Sequence, residues 1–536
     1  MKSTMLAFFA VITLVAGCGA EVGGAASNDD DVIVPEGKED DFFSSSAAEY
    51  WFTGTGTVTV EDTLTAADAK LKRARELVQL KNVAISWFLN TYLIDKEDEE
   101  SNKAYGGFSA LTRFASEMDG ELVAAADGKT FSFPWKVQVA GPKALVTKLG
   151  ASFTLPLGKP TNDELSQLEF NHEWYRSSPW DSFDPSKLTA ADLEKMTLKV
   201  TKQVASPDAW LAYDRLVADG EISVGVHFGW DYWARYDIKG ARNLYSYLTG
   251  QGFASPVSSF DKYDRTSGPL TKTIKSNGKS IVVKISIFHP GDPANQVIGP
   301  DPDSDAGGKV LEADMRDSLA HREVIVFEGH SGPLYGFALA NWRKTEEGDM
   351  DDSKIPTAEM PKSYQIVLAN GCDTYDLGQA FWKNPAKADH QSLNVITTTS
   401  FSNAGTEASA ERLLKALFNN AYGKLQPVKV SELVAGFDAD QGSGFHSQYG
   451  LHGVESNPRY QPMSDASKLC QSCTTDASCG ADGNRCTKIS TTAKVCTFEC
   501  IDDSGCPTNY KCKLVGSATT GTAKSRQCVP TSNRCR

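Results

Sequence analysis

Between residue 216 and about residue 460, short apolar runs alternate with stretches of helical period, and this alternation restricts the fold more than any other feature of the chain. The runs at 222–228, 281–288, 324–327, 365–369 and 394–399 are short strand candidates, and those at 281–288, 324–327 and 365–369 are apolar along most of their length. The stretches at 240–249, 309–320, 373–382 and 408–418 repeat their apolar residues with helical spacing. A strand that is apolar on both faces must be covered on both, so the pattern predicts an α/β fold: a parallel sheet with helices on each side. Ligands of such sheets bind beyond the carboxyl ends of the strands. Two reactive side chains fall at such positions. His330 follows the third run after Gly329, and Cys372 follows the fourth after Asn370-Gly371.

Cysteine placement makes Cys372 conspicuous. The 536 residues include 12 cysteines. Ten form a closely spaced C-terminal set: Cys470, Cys473, Cys479, Cys486, Cys496, Cys500, Cys506, Cys512, Cys528 and Cys535. An even number in a short polar segment reads as a disulfide framework, here a cysteine-rich module over 466–536. Cys473, Cys479, Cys486 and Cys496 are echoed by Cys500, Cys506, Cys512 and Cys528, a weak internal repeat. Zinc is the rival for such spacing, but one C-x-x-C stands without a second and no histidine follows Cys470. Cys18 closes a basic-then-apolar leader in Val15-Ala16-Gly17-Cys18, which resembles a bacterial lipobox. Residues 1–18 therefore read as a lipoprotein signal and Cys18 as the acylated residue. The expected location is exported and membrane-anchored, at the cell envelope. Residues 19–47 read as a flexible acidic tether and 48–215 as an α+β domain, with strands at 50–60, 131–139 and 145–155 and a helix between. His172-Glu173 opens an H-E-x-x-H pattern, but Arg176 stands in place of the second histidine. The net charge of -14 argues against a nucleic-acid partner.

An unpaired thiol near a histidine is the raw material of nucleophilic catalysis. A helix expected from Asp373 would place its positive end at the Cys372 sulfur and favour the thiolate. The thiolate attacks a carbonyl carbon; His330 protonates the leaving amine and later activates water. Backbone N–H groups around Gly329, Ser331 and Gly332, with that of Cys372, are candidate oxyanion donors.

An apolar strand ending in histidine and small residues, followed by another ending in Gly371-Cys372, resembles the caspase–haemoglobinase fold of cysteine peptidases. Gly378-Gln379-Ala380-Phe381 and a closing strand in 449–458 are most similar to its gingipain-like branch. The resemblance covers roughly 220–455. It implies a cysteine endopeptidase with a Cys372–His330 dyad and a polypeptide substrate. It requires no cofactor, though calcium is a structural ion in that branch. It also implies that the loop after the first strand lines the pocket for the residue before the scissile bond, where Arg235 or Asp237 would select an acidic or a basic side chain. The two can equally pair with each other. Ser331 departs from the family, which has glycine directly after the histidine.

Other readings use the same segments. Gly329-His330-Ser331-Gly332 is similar to the nucleophile elbow of α/β-hydrolases with Ser331 as nucleophile, although Pro333 stands where a glycine belongs. His390, His446 or His452 would then complete a triad. A third reading is a non-catalytic surface binding protein whose cysteine-rich tail contacts a ligand. Finally, Asp301, Asp303, Asp305 and Glu312 have the spacing of a calcium loop, with Ala306 where glycine is expected; an acidic surface loop is the alternative.

Overall fold

The computed structural model describes residues 42–93, 108, 110–112, 117–118, 120–169, 180, 183–276, 278–332, 336–351, 353–400, 402–403, 405–421, 424–441, 447–480, 483–516 and 524–532. The leader with Cys18, most of the tether, His172-Glu173, Pro333, His446 and Cys535 lie outside them.

The N-terminal part is an antiparallel sheet covered by a long helix. Strands β1 (Ala47–Thr59), β2 (Thr130–Pro142), β3 (Ser152–Gly158) and β4 (Leu193–Lys202) adjoin in the order β2-β1-β4-β3. Helix α1 (Ala67–Leu93) buries Ala74, Leu77, Ala84, Ile85 and Phe88 at helical spacing, with Leu71 half-buried. The strand expected over 145–155 is instead two elements. Leu145–Leu149 is a short helix, and the strand begins only at Ser152. Gly150, with a φ of 94°, breaks the chain between them.

The central part is a seven-stranded sheet. In chain order it comprises β5 (Glu221–Phe228), α2 (Tyr236–Gly250), β6 (Leu270–Ser276), β7 (Lys279–Phe288), α3 (Asp305–His321), β8 (Val324–Glu328), β9 (Gln365–Asn370), α4 (Leu377–Trp382), β10 (Leu393–Thr398), α5 (Ala408–Phe418), α6 (Val430–Asp440) and β11 (Tyr449–His452). The strand order is β11-β10-β9-β8-β5-β7-β6. The inner strands β10, β9, β8, β5 and β7 are mutually parallel; β11 and β6 run antiparallel at the two edges. Every residue of β8, β9 and β10 is buried, and β8 and β9 accordingly read as nearly continuous apolar runs. Separate clusters cover the two faces, one led by Val224, Val326 and Leu368 and the other by Ile325, Phe327 and Val367.

The chain from Phe42 does not behave as a free tether. Phe43 exchanges backbone hydrogen bonds of 2.8 Å with Leu451 on the edge strand β11. The Ser44 hydroxyl donates to Tyr449 O at 2.7 Å, and that of Ser46 to Asp438 at 2.7 Å. The Phe42 ring packs on Tyr375 and His452. Gly450 leaves the room: a Cβ there would fall 1.9 Å from the ring.

The C-terminal module is two disulfide-bonded hairpins, β12 (Asn484–Lys488) with β13 (Lys494–Phe498) and β14 (Tyr510–Gly516) with β15 (Lys524–Pro530). The repeat seen in the sequence governs the pairing. Cys473–Cys486 and Cys479–Cys496 in the first half match Cys500–Cys512 and Cys506–Cys528 in the second. Cys470 is also disulfide-bonded, and Cys372 is the free cysteine among the described residues. The thiols that meet zinc-like distance criteria are these same bridged sulfurs, so the module is closed by disulfides. Several such bridges point to an extracellular or otherwise oxidising compartment. Intact-mass and peptide analysis without reduction is expected to find five bridges, the fifth joining Cys470 to Cys535. Alkylation of any tail cysteine in the unreduced protein would refute that count. No helix among the described residues is long and apolar enough to cross a membrane.

Candidate active site

Three adjacent parallel strands deliver three side chains to one rim. Asp231 lies just beyond β5, His330 just beyond β8 and Cys372 just beyond β9, with β8 between its two partners. The register is tight at this end: Glu328 faces Asn370 across β8–β9, and Phe228 across β8–β5.

The loops after β8 and β9 are joined directly. The Ser331 hydroxyl donates to Cys372 O at 2.6 Å, and Gly329 N–H donates to Asn370 O at 3.1 Å. No side chain fits at position 371, where a Cβ would lie 2.0 Å from Ser331 Oγ and 2.8 Å from Gly329 O. These contacts bear on two sequence expectations. The Gly329 N–H, a candidate oxyanion donor, is bonded to a backbone carbonyl. The Ser331 proton is committed to a backbone carbonyl, and Ser331 and Gly332 form a short antiparallel pair with Phe337 and Gly336. The histidines nominated beside Ser331 are engaged elsewhere: His390 stacks on Trp382, and His452 bonds Thr397 Oγ1 at 2.9 Å.

The helix expected at Asp373 starts later, at Leu377. Asp373 has a φ of 56°, outside the helical region, so the chain turns through residues 372–376 first. Thr374 fixes the turn through its hydroxyl to Ala369 O at 2.9 Å. The Cys372 sulfur therefore does not sit at a helix N-terminus. It lies half-buried, 3.9 Å from Ser402 O in the loop after β10.

His330 is held on two sides. Its Nε2 lies 3.0 Å from Asp231 Oδ1, and its ring stacks on Tyr232 with centroids 4.5 Å apart. The Arg343 guanidinium covers the Tyr232 ring at 4.1 Å. The other Asp231 oxygen accepts from the N–H groups of Ala234 and Tyr236, at 2.8 and 3.1 Å. Arg235, with a φ of 55°, makes the turn that brings both N–H groups inward. Burial by itself would raise the Asp231 carboxyl. The hydrogen bonds from His330, Ala234 and Tyr236 outweigh it and hold the group well below the usual carboxylate range. Asp231 is thus a fixed anion against the imidazole. The sequence reading did not nominate it, because strand order, and hence its neighbour, is not written in the run lengths.

Arg235 and Asp237 pair with each other at 2.9 Å. Arg235 also donates to Gly291 O at 3.0 Å. The Asp237 side chain is fully buried, and that burial raises its carboxyl to about 6 despite the guanidinium. The four proposed calcium ligands are dispersed. Asp303 accepts from Asn341 and Lys344, both at 2.6 Å, and Glu312 pairs with Arg316 and Lys354. Asp305 accepts from Glu346 N–H at 3.2 Å, and Asp301 from Asp303 N–H at 3.1 Å. No three of these carboxylates bring oxygens within 4.8 Å of one another. The reason is local: Ser304 caps α3, so the chain becomes helical at Asp305 rather than continuing as an ion-wrapping loop.

No protein-family model, curated protein or solved structure matches this chain.

Proposed function

We propose that the protein is a cysteine endopeptidase of the caspase–haemoglobinase type, tethered to the cell envelope through an acylated Cys18. The observation that carries this reading is the rim itself, where the solitary thiol and an aspartate-anchored histidine follow neighbouring parallel strands. Cys372 is the nucleophile. His330 is the acid/base, with Nε2 bound to Asp231 and Nδ1 left to exchange the proton with thiol and leaving amine. Asp231 fixes the ring and stabilises the imidazolium, the role of the third member of a triad. Ser331 positions the thiol loop through Cys372 O. The hydroxyl's commitment there favours Cys372 over Ser331 as nucleophile.

The test is thiol reactivity. Iodoacetamide at limiting dose is expected to label Cys372 selectively in the folded protein, and His330→Ala is expected to slow that labelling at neutral pH by about tenfold or more. Equal labelling in both proteins would remove the dyad and leave a binding protein on the same scaffold as the better account.

A further inference from the structure

The disulfide module meets the central part of the chain along a cleft. Backbone bonds fix the junction. Trp210 N–H donates to Pro458 O at 3.0 Å, Gln461 N–H to Glu499 O at 3.0 Å, and Ile501 N–H to Arg459 O at 2.8 Å. The Lys429 ammonium, just before α6, crosses to the module and pairs with Glu499 at 3.1 Å. The cleft holds about 640 Å³, within the roughly 300–1,000 Å³ usual for small-molecule sites. None of the residues lining it lines the cavity beside His330.

Two buried amides equip this cleft. Gln461 lines it and is 4% exposed. Its Oε1 accepts from the Met463 N–H at 2.7 Å and the Ser464 hydroxyl at 3.4 Å. Its Nε2 makes no hydrogen bond among the described residues, so the amide has a donor to offer. Asn484 lines the cleft at the start of β12 and is 7% exposed. Its Nδ2 donates to Asp465 O and Cys479 O, both at 3.0 Å, while Oδ1 is buried with no hydrogen bond. An unused buried polar atom is costly to leave unmatched. The two amides are close: Gly483, next to Asn484, packs against Gln461, and a Cβ there would lie 3.0 Å from Gln461 Cδ.

We propose that this cleft binds a neutral saccharide, with the Gln461 amide as donor to its hydroxyls and Asn484 beside it as acceptor. A hydroxyl both accepts and donates, so it suits an unused donor next to an unused acceptor. The charges select no ion. Among the described lining residues, Lys429 and Arg485 stand against Glu432, Asp476 and Glu499. Lys429 is held by Glu499 and lies over the Trp210 ring at 5.0 Å, and Asp476 accepts from the Cys486 N–H at 2.8 Å. An apolar ligand finds little purchase, because Trp210 is buried with its ring covered. A bound peptide would likewise lack apolar pockets for its side chains.

The test screens full-length protein against immobilised neutral oligosaccharides (glucans, mannans and N-acetylglucosamine oligomers) and titrates the best trisaccharide by calorimetry. Binding is expected with a Kd below about 1 mM, changing less than about twofold between about 0.05 and 0.5 M salt, because no ion pair forms. Gln461→Glu keeps the shape and the Oε1 contacts but replaces the donor with an acceptor. It is expected to weaken binding by about tenfold or more, since a site built to hydrogen-bond a hydroxyl is left with an unmatched group. Ala477→Trp, at an exposed position on the cleft wall, is expected to cause a similar loss by filling the space. Neither change should alter the melting curve or the rate of Cys372 alkylation. No binding across the panel, affinity that falls with salt, or binding that survives both substitutions overturns the proposal. So does a cleft that captures an extended peptide and no saccharide. Ala477→Trp leaves Gln461 intact, so a misfolded Gln461→Glu variant would not leave the matter open.

Discussion

Cys372→Ala is expected to lower peptide-bond hydrolysis by about 10⁴-fold or more, while circular dichroism and the melting curve stay close to those of the parent. A catalytic nucleophile acts as a unit with its base, so losing it removes nearly all the covalent rate. The fold should survive because the thiol is only half-buried and lies beyond the end of β9, outside the apolar clusters. Ser331→Ala is the informative contrast. It removes the hydroxyl bond to Cys372 O at 2.6 Å but no reacting group. A loss of about ten- to a hundredfold is expected, in the range caused by displacing a reacting group slightly. An active Cys372→Ala protein with a dead Ser331→Ala protein would turn the assignment around and make Ser331 the nucleophile.

Asp231→Asn is expected to cost about 10² to 10⁴-fold in kcat with a smaller change in KM, because an amide cannot stabilise an imidazolium and favours the wrong ring tautomer. The variant also separates orientation from stability. The Asp231 pKa is depressed in the folded state, so its contribution to stability is complete above the unfolded carboxylate value and is lost as pH falls through the lower folded value. Asp231 thus remains charged through the mildly acidic range, and the acid limb of the pH–rate profile should not report its titration. An Asp231→Asn protein that retains kcat within threefold of the parent would show that the contact at 3.0 Å holds the loop and nothing more.

The sheet was legible in the sequence for a physical reason. Residues of β8 and β9 are buried on both faces, so their apolar runs are nearly unbroken. The paired cysteine spacings in the tail likewise express two copies of one hairpin. Features set by tertiary contacts were not legible. The turn after Cys372 looked like the start of a helix because nothing local announces the left-handed conformation of Asp373, whose N–H donates to Ser400 O at 3.2 Å in the loop after β10. The mutual pairing of Arg235 and Asp237 was one of the sequence alternatives, but choosing it required knowing that the Asp237 side chain is enclosed. Asp231 was overlooked because an isolated acid after a strand carries no pattern until the neighbouring strands are ordered.

The pairing of Phe43 with Leu451 has a consequence for assembly. An uncovered edge strand offers a row of amide and carbonyl groups that can recruit a strand from another molecule. Here β11 forms one margin of the central sheet, and the chain's own N-terminal segment already occupies that margin through two hydrogen bonds of 2.8 Å. Two copies therefore cannot merge their sheets across β11 unless residues 42–46 peel away. If Cys18 is acylated, the same strap carries any pull from the membrane to this edge strand, two places from the strand that Cys372 follows, with the Phe42 ring wedged over Gly450.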